Sequence, residues 1–163
     1  MLLARKLGAA RLIAIDIDRG ALRRAKEAHA DAVLHPRDDV AEQVRVLTDG
    51  LGADLAVECV GRAETVTTAL KCLRRSGRAV VVGVGPERVT LPPLQAFVGM
   101  DLALLGSMGF DRADLEAVID MARRRELNLA GSLGELVPLA EINGAMQRLA
   151  ERKTDSVRVV IVL

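Results

Sequence analysis

The sequence has no Trp, no Tyr and two Phe among its 163 residues. Single-stranded nucleic acids stack on aromatic side chains, and proteins that bind nucleic acids usually carry an excess of positive charge. Here 23 Lys and Arg balance 22 Asp and Glu, which leaves a formal net charge of +1. We therefore expect no nucleic-acid partner.

Cysteine and histidine are equally scarce. Cys59 and Cys72 stand thirteen residues apart, which is neither a disulfide framework nor the C-x-x-C spacing of a metal site. We expect both to be buried, reduced thiols that act as small hydrophobic residues. His29 and His35 flank a predicted helix end and are interpreted as surface residues rather than ligands. No metal site is expected.

Long apolar runs are also absent. No uncharged apolar stretch approaches the roughly 18 residues that a membrane span needs. The first ten residues place Arg5 and Lys6 after the apolar residues, which is unlike a secretory signal. We expect a cytoplasmic protein that does not bind membranes.

Short runs rich in Val, Ile and Leu alternate with segments of helical spacing. This alternation is typical of a sheet with helices on both faces. The predicted strands are Arg11–Asp16, Ala32–Leu34, Asp54–Cys59, Arg78–Val84, Asp101–Ser107 and Val157–Leu163. Apolar stripes predict helices around Leu22–Ala28, Val40–Leu47, Val66–Leu73, Leu115–Ala122 and Ile142–Leu149. The predicted fold class is α/β, an incomplete doubly wound (Rossmann-type) parallel sheet.

Some boundaries are marked locally. Asp111 is placed to cap a helix that starts at Arg112, and Gly50 is placed to stop the helix that precedes it. The run Ala79–Val82 does not alternate with polar residues, which is typical of a central strand buried on both faces. The alternation of strands and helices ends near residue 108, before a long helix and a connection at 131–134. We expect two domains, 1–108 and 109–163.

Asp16 ends an apolar run directly before a predicted helix. Dinucleotide-binding folds place an acidic side chain there to accept hydrogen bonds from the adenosine ribose hydroxyls. Alternatively, Asp16 or Asp18 simply caps the helix that begins near Arg19. Asp16 alone supports the two interpretations equally.

The glycine-rich loop that accompanies such a carboxylate is not found here. None of the 15 residues before Asp16 forms G-x-G-x-x-G, and Met1–Leu7 has the pattern of a helix end. We therefore expect the sequence to start inside the first crossover helix, without the first strand. The cluster Gly83–Pro86 lacks a third glycine and is followed by Pro92 and Pro93. It is interpreted as a tight turn at the carboxyl edge of the sheet.

A longer motif resembles a known family. Residues Asp49–Gly61 combine a Gly-x-Gly-x-Asp turn, a strand, and an acidic residue followed by a small residue, an apolar one and glycine. In this pattern the sequence resembles the zinc-type medium-chain alcohol and polyol dehydrogenases. The resemblance continues in the family's own order through Leu7–Ala10, Leu12–Asp16, Arg78–Val84, Leu105–Ser107, Leu139–Leu149 and Ser156–Leu163.

The resemblance implies that nine residues contact NAD, each at a matching family position. Asp16 would hold the adenosine ribose and Arg158 would meet the pyrophosphate. The residues that would line the cofactor after the strand ending at Cys59 are Val60, Gly61 and Arg62. The residues that would approach the nicotinamide ribose are Gly83 and Val84, and those beside the carboxamide are Ser107 and Met108.

These positions also have plain structural interpretations. Gly61 and Gly83 can be turn glycines, Arg62 a solvated helix-start residue, and Arg158 an outward residue of a strand. NAD is favoured over NADP because a carboxylate at Asp16 would repel a 2′-phosphate. The nearby Arg19, Arg23 and Arg24 leave NADP open.

The resemblance implies zinc in the complete enzyme, where the metal lowers the pKa of the substrate alcohol. Cys59 and Cys72 do not match the family's ligand positions, so we expect this chain to bind no zinc and to hold no catalytic residue. We expect a portion of an NAD-dependent alcohol dehydrogenase that is inactive by itself and whose complete form acts on a small alcohol or carbonyl compound. Alternatives are a non-catalytic remnant or oligomerisation module, and a zinc-free quinone-reductase relative.

An absent first strand has a physical consequence. In the order 3-2-1-4-5-6 its loss exposes two strand edges and splits the sheet. We expect the chain to be marginally stable, to join its two half-sheets, or to pair with another copy. The family also suggests a homodimer through the regions matching Arg88–Leu91 and Asp101–Ser107. Its apolar edge would be Val89, Leu91, Leu102, Leu104 and Leu105, unless the segment Leu94–Val98 covers them within one chain.

Overall fold

The computed structural model describes residues 1–36, 39–129, 134–151 and 158–162. The described helices are α1 (Leu2–Lys6), α2 (Arg19–Glu27), α3 (Val40–Leu47), α4 (Ala63–Lys71), α5 (Leu94–Gly99), α6 (Arg112–Arg123) and α7 (Ile142–Ala150). The described strands are β1 (Ile13–Ile15), β2 (Ala32–Leu34), β3 (Ala53–Glu58), β4 (Leu73–Val81), β5 (Ala103–Gly106), β6 (Glu135–Pro138) and β7 (Val159–Val162).

Contacts divide the chain into two compact units. One consists of Met1–Val33 together with Asp111–Leu163, and we call it the split unit. The other is Leu34–Phe110, and we call it the central unit. The expected division into 1–108 and 109–163 stays a prediction.

Three parallel strands form the sheet of the central unit, in the order β3-β4-β5. Glu58 at the end of β3 is level with Val81 of β4, and Val81 is level with Gly106 of β5. Helix α4 lies between β3 and β4 in the chain, and α5 precedes β5. Parallel neighbours need such crossovers, so the predicted α/β class is confirmed.

One face of this sheet packs against helices. Ala79 of β4 is fully buried and lies in a cluster with Leu70 of α4 and Leu73. Phe97 of α5 and Leu104 of β5 pack against the same cluster. This apolar cluster therefore joins the sheet to α4 and α5. Of the apolar residues expected at a dimer edge, Leu102 and Leu104 pack against this cluster.

The opposite face of the sheet is more exposed. The register places Leu55, Val57 and Leu105 on the face opposite Ala79, and all three are exposed. Val82, which follows β4, is also exposed. The non-alternating run in β4 predicts burial on both faces. The strand is indeed central, but its second face keeps large apolar side chains in contact with solvent.

The split unit contains the sheet β1-β2, except for Leu34, and the parallel sheet β6-β7. Val137 of β6 and Ala145 of α7 are both buried. The sequence does not predict β6, because this four-residue strand ends at a proline and has little room for a periodic pattern. Among the described residues β1-β2 and β3-β4-β5 are separate sheets, so the expected joining of half-sheets is not found.

Most predicted boundaries agree with the structure within a few residues, but one strand starts earlier, and helix α5 is not predicted from the sequence. Strand β4 begins at Leu73 rather than Arg78, because Leu73 pairs with Ala53 before the register shifts at a bulge. Helix α5 begins directly after Pro93, where a proline is tolerated. Of the predicted strand 157–163, residues 159–162 form β7, and residues 157 and 163 lie outside the described part. So do residues 131–133 of the predicted connection.

Local signals set the start of one helix and the end of another, as the sequence predicts. Asp111 accepts a hydrogen bond from Asp114 N at 2.9 Å, and Asp114 accepts one from Asp111 N at 3.2 Å. This capping box starts α6 at the predicted place. After α3, Asp49 and Gly50 both have left-handed φ, +56° and +85°, and Gly50 N donates to Arg45 O at 2.8 Å, which closes the end of the helix.

Within the described ranges, no helix has both the length and the apolar character needed to span a bilayer.

The apolar cluster of the central unit predicts a strong effect of truncating Leu70, which is 3% exposed. Leu70→Ala should lower the free energy of unfolding by about 2–5 kcal/mol, because it leaves a cavity between α4 and the sheet. Leu51→Ala is the matched control, since Leu51 is 70% exposed. Urea denaturation followed by circular dichroism measures both. Equal effects of the two substitutions would contradict the proposed core.

A second prediction concerns pH and the start of the split unit. Asp31 Oδ2 accepts hydrogen bonds from Leu12 N at 2.7 Å and from Arg5 at 2.6 Å. These bonds, the one from Leu12 first, lower the pKa of Asp31 below its ordinary value. A lowered folded-state pKa gives stability that is complete above the unfolded value of about 4 and is lost as the pH falls through the folded value.

Asp31→Asn should therefore lower the Tm at neutral pH, and its difference from the parent should shrink as the pH falls below about 4. Asp120→Asn is the control, because Asp120 is exposed on α6 and its closest described ion-pair distance is 3.8 Å to Arg123. Thermal melts across acidic pH measure the effect. A Tm difference for Asp31→Asn that does not change with pH would refute this assignment.

Candidate functional site

The carboxyl ends of β3, β4 and β5 lie side by side in the central unit. Residues Glu58, Val81 and Gly106 are level with one another in the parallel register. The turns that leave these strands therefore share one edge of the sheet. Ligands of open α/β sheets bind at this kind of edge. The turns carry seven of the nine predicted cofactor-binding residues, namely Val60, Gly61, Arg62, Gly83, Val84, Ser107 and Met108.

The turns after β3 and β4 meet backbone against backbone. Gly61 has φ +81°, and a Cβ added there would lie 2.5 Å from the Val84 carbonyl carbon. A Cβ added at Gly83 would lie 2.6 Å from the Val60 carbonyl carbon, and one at Gly85 would collide with Gly61 O. Side chains at these three positions cannot fit without movement of the backbone. Glycine is therefore required at Gly61, Gly83 and Gly85 for the two turns to approach.

A carboxylate holds this pair of turns together. Glu58 is 4% exposed, and its Oε1 accepts hydrogen bonds from Val60 N at 2.8 Å and Gly61 N at 2.9 Å. The hydroxyl of Thr65 lies 2.7 Å from the same oxygen. The main-chain carbonyl of Glu58 accepts from Val82 N at 2.8 Å and Gly83 N at 3.1 Å. One residue thus bonds to both turns.

These hydrogen bonds decide what the turns can offer to a ligand. The amides of Val60, Gly61 and Gly83 already donate to Glu58. A phosphate-binding loop works by pointing such amides at an anion. In the turn at Gly83–Gly85 the amide of Gly83 is therefore directed at the protein's own backbone and not at a ligand.

The start of α4 is likewise occupied by the protein's own groups. Glu87 Oε2 accepts from Ala63 N at 2.8 Å, and Glu87 Oε1 lies 3.5 Å from Arg62 Nε. An acidic side chain at a helix N-terminus is stabilised by the helix dipole. The Arg62 side chain is exposed, but its charge is partly balanced by Glu87. The Arg62 side chain can therefore still contact a ligand at this edge, while Glu87 balances part of its charge.

The third turn presents one apolar side chain and one polar backbone group. Ser107 N donates to Val81 O at 2.9 Å, so the backbone group of Ser107 that remains for a ligand is its carbonyl. Met108 is almost fully exposed, and so are Val84 and Val60 to a large extent. The edge is therefore apolar with a few carbonyl acceptors. Such a surface suits an uncharged ring better than a phosphate.

The remaining two predicted residues lie in the split unit. Asp18, not Asp16, caps α2, because its Oδ1 accepts from Gly20 N at 2.7 Å. Asp16 follows β1 and accepts from Asp18 N at 2.9 Å. Helix α2 therefore does not need Asp16 as its cap. Arg158 is exposed directly before β7. The structure groups seven predicted residues on one edge, and these two belong to the other unit.

The described residues do not contain a cluster of three or more His, Cys, Asp or Glu side chains that could hold a metal ion. The two thiols differ from the prediction that both are buried. Cys72 is buried, and burial raises the pKa of its thiol to about 11. Cys59, which directly follows β3, is exposed. The donor set found here does not fit a zinc ion.

A groove of about 410 Å³ lies at the other end of the same strands. It is lined by side chains near the starts of β4 and β5, among them Leu70, Leu73, Pro92, Met100 and Leu102. Arg45 and Lys71 also line it. Ligands of parallel sheets bind at the carboxyl edge, so we place the candidate site at the three turns and not in this groove.

Two residues of the site were not among those predicted from the sequence. Glu58 is part of the Asp49–Gly61 motif, yet a charged residue at a strand end gives no sign of being buried. Glu87 lies 24 positions after Ala63, and nothing in the sequence pairs them. The position of Glu58 just before the turn is a sequence signal for this role, since an acidic side chain can accept hydrogen bonds from the amides two and three residues after it.

Comparisons with known proteins agree with this architecture. The family model described as zinc-binding dehydrogenase matches residues 1–124. An S-(hydroxymethyl)glutathione dehydrogenase from Synechocystis is 32% identical over 97% of this chain. The crystal structure of AibC has a TM-score of 0.85 and 35% identity, and that of an alcohol dehydrogenase from Thermus sp. ATN1 has 0.90 and 26%; each likeness covers 99% of this chain. The chain spans 44–46% of the length of these relatives.

The contact between the two glycine turns predicts that Gly83→Ala is destabilising. Its Cβ would meet the Val60–Gly61 backbone, which has no flexible end that could move aside. We expect a loss of about 1–3 kcal/mol in the free energy of unfolding. Gly106→Ala is the matched control, because a Cβ at Gly106 of β5 meets nothing within 4 Å. It should change stability by less than about 0.5 kcal/mol. Indistinguishable denaturation curves for the two variants would show that the turns do not meet in this way.

Proposed function

We propose that this chain, which belongs to the zinc-binding dehydrogenase family, is the NAD-binding portion of an alcohol dehydrogenase that oxidises an alcohol to an aldehyde or ketone. The family and its alcohol dehydrogenase relatives support the reaction class. Because the chain spans less than half of those relatives, the activity of the complete protein is part of the proposal.

The observation that carries this proposal is the shared edge of β3, β4 and β5. Three consecutive parallel strands end level with one another, and their turns expose Val60, Val84 and Met108. The amides of Val60, Gly61, Gly83 and Ser107 already donate within the protein, and the edge exposes apolar side chains beside them. This chemistry suits the nicotinamide, adenine and ribose portions of NAD, which are uncharged or hydroxyl-bearing apart from the nicotinamide ring of the oxidised form. It does not suit the pyrophosphate.

The proposed contacts follow from these groups. Val60, Gly61 and Arg62 would line the cofactor, and Gly83 and Val84 would approach the nicotinamide ribose through their backbone. The carbonyl of Ser107 would accept a hydrogen bond from the carboxamide nitrogen, since Ser107 N is bonded to Val81 O. Met108 would cover the ring from solvent. When bound, the nicotinamide supplies the chemistry of hydride acceptance. The role of this chain is to orient it.

Asp16 supports NAD over NADP. It stands at the end of β1, and Asp18 performs the capping of α2. A carboxylate there would accept hydrogen bonds from the ribose hydroxyls and repel a 2′-phosphate. Arg158 is proposed, from its family position, to meet the pyrophosphate. Both residues belong to the split unit, and their proposed roles do not depend on the distance to the three turns.

The residues described here do not offer a zinc site, so no step of the reaction is assigned to this chain beyond cofactor binding. We propose that the isolated chain is inactive in alcohol oxidation. A cytoplasmic location and a homodimer through the β5 edge remain part of the proposal. At that edge Val89, Leu91 and Leu105 are exposed, whereas Leu102 and Leu104 pack against the cluster of Leu70, Leu73 and Ala79.

One observation favours a second function, that of a non-catalytic assembly module. Leu55, Val57, Val82 and Leu105 expose a patch of large apolar side chains on one sheet face. Such patches often mark protein interfaces. A chain that served only as an assembly module would not bind the cofactor when folded. One binding experiment therefore separates the two proposed functions.

Titration of the purified chain with NADH, followed by nicotinamide fluorescence, tests the proposal. The absence of Trp and Tyr leaves almost no protein emission to correct for. We expect saturable binding that Asp16→Asn weakens about tenfold, because a hydrogen bond to a carboxylate becomes one to a neutral amide. Asparagine can still accept from Asp18 N, so the local turn is retained.

Asp18→Asn is the matched control, since asparagine also caps helices well. It should leave the Kd for NADH within about twofold of the parent. A parallel titration with NADPH should show weaker binding to the parent and a smaller preference for NADH in Asp16→Asn. No NADH binding by a chain that circular dichroism shows to be folded would reject the dehydrogenase proposal and favour the assembly module.

A further inference from the structure

Glu58 combines two properties that rarely occur together. Among the residues that the structure describes, it is the one charged residue that is buried. Its carboxylate also lies directly under a turn of the candidate site, with Val60 N and Gly61 N at 2.8 and 2.9 Å from Oε1. The second oxygen, Oε2, lies 3.1 Å from Gly61 N. The side chain therefore saturates the amides of this turn.

The same residue reaches the neighbouring turn through its main chain. Its carbonyl oxygen accepts from both Val82 N and Gly83 N. Side chain and main chain of Glu58 thus connect the turn after β3 with the turn after β4. At the same place the Gly61 backbone lies directly against the Val84 backbone.

Glu58 is also joined to the helix that follows. The Thr65 hydroxyl lies 2.7 Å from Glu58 Oε1 and 2.8 Å from Arg62 O, and can donate to one of them at a time. Thr65 lies in the first turn of α4. Thr65 thus links the first turn of α4 to the Glu58 carboxylate and to the Arg62 carbonyl.

Burying a carboxylate in a turn costs free energy, because the charge loses its contact with water. Only well-placed hydrogen-bond donors compensate for that loss. Here three donors face it and no cation contacts it among the described interactions. Both carboxylate oxygens can accept, so Gly61 N has an acceptor in Oε1 at 2.9 Å and in Oε2 at 3.1 Å, whereas a neutral amide would place an NH₂ group at one of these two positions. The charge thus fixes one arrangement of the turn amides.

We propose that Glu58 is a positioning residue for the cofactor edge. It holds the turns at Val60–Arg62 and Val82–Gly85 as one rigid unit, and it removes their amides from contact with ligand. It does not itself touch the cofactor. This inference rests on the proposed function where it concerns NADH, and it stands on the turn geometry where it concerns rigidity.

The experiment uses two variants of Glu58 and two controls. Glu58→Gln keeps one acceptor oxygen and places an NH₂ group against Gly61 N, whereas Glu58→Ala removes both acceptors. Glu64→Gln, an exposed acid on α4, controls for loss of a charge. Leu70→Ala controls for loss of stability without any change in the turns. Each variant is titrated with NADH at a temperature where circular dichroism shows it to be folded.

We expect the Kd for NADH to rise roughly fivefold in Glu58→Gln and roughly thirtyfold in Glu58→Ala. Both controls should stay within about twofold of the parent, even where Leu70→Ala melts lower than Glu58→Gln. A purely structural role would instead make the Kd of every folded variant equal. Parent-like binding by folded Glu58→Ala would overturn the proposal.

Amide hydrogen exchange measured by NMR supplies a readout that does not depend on NADH. In Glu58→Ala the amides of Val60 and Gly61, which lose their side-chain acceptor, should exchange at least about tenfold faster. Gly83 N, which donates to the main-chain carbonyl that the variant keeps, and Ser107 N, which donates to Val81 O, should change little. If the parent does not bind NADH but the amides of Val60 and Gly61 are released, the proposed function fails and the positioning role stands. Unchanged exchange at these amides would refute the positioning role whether or not NADH binds.

Discussion

The close approach of two turns at the carboxyl edge of the sheet is the constraint on which the central unit depends. Gly61, Gly83 and Gly85 allow backbone to meet backbone without side chains between them. Glu58 then bonds to both turns, through its carboxylate on one side and its carbonyl on the other. The parallel register of β3 and β4 brings these groups level. Steric fit and hydrogen bonding thus reinforce one arrangement of the edge.

This arrangement also determines which chemical groups the edge can bind. Each turn amide that donates to Glu58 is lost to a ligand, and the start of α4 is occupied by Glu87. An edge of this kind offers little to an anion. It offers apolar side chains and carbonyl oxygens, which suits the rings and riboses of a dinucleotide. Membership of a dehydrogenase family and the donor pattern therefore support the same class of ligand.

Energetically, the sheet of the central unit is stabilised mainly from one side. Ala79, Leu70 and Leu73 form a buried cluster with α4 and α5, whereas Leu55 and Val57 on the other face remain exposed. Parallel strands are normally covered on both faces. Within the described sheet, this exposed face and the unpaired side of β3 are less protected from solvent than the buried cluster.

Apolar spacing and local signals predicted much of the fold from sequence. The stripes at α3, α4, α6 and α7 have the 3.6-residue period of an amphipathic helix, and Asp111 is a cap that needs only its neighbours along the chain. Strand β6 escaped prediction, because four residues are too few for a pattern and its pairing with β7 is a distant contact. The early start of β4 depends on a bulge opposite Ala53, which no local signal encodes.

For the candidate site, the sequence by itself determined the residue types at the strand ends, since glycines and small residues after apolar runs are visible in the chain. Resemblance to a family then suggested their roles. The tertiary structure alone decided that Glu58 is buried beneath the turn, that Glu87 occupies the start of α4, and that Asp18 rather than Asp16 caps α2. The physical reason is that burial and hydrogen bonding depend on which segments meet in space. Residues 58 and 83 meet because β3 and β4 pair in parallel register.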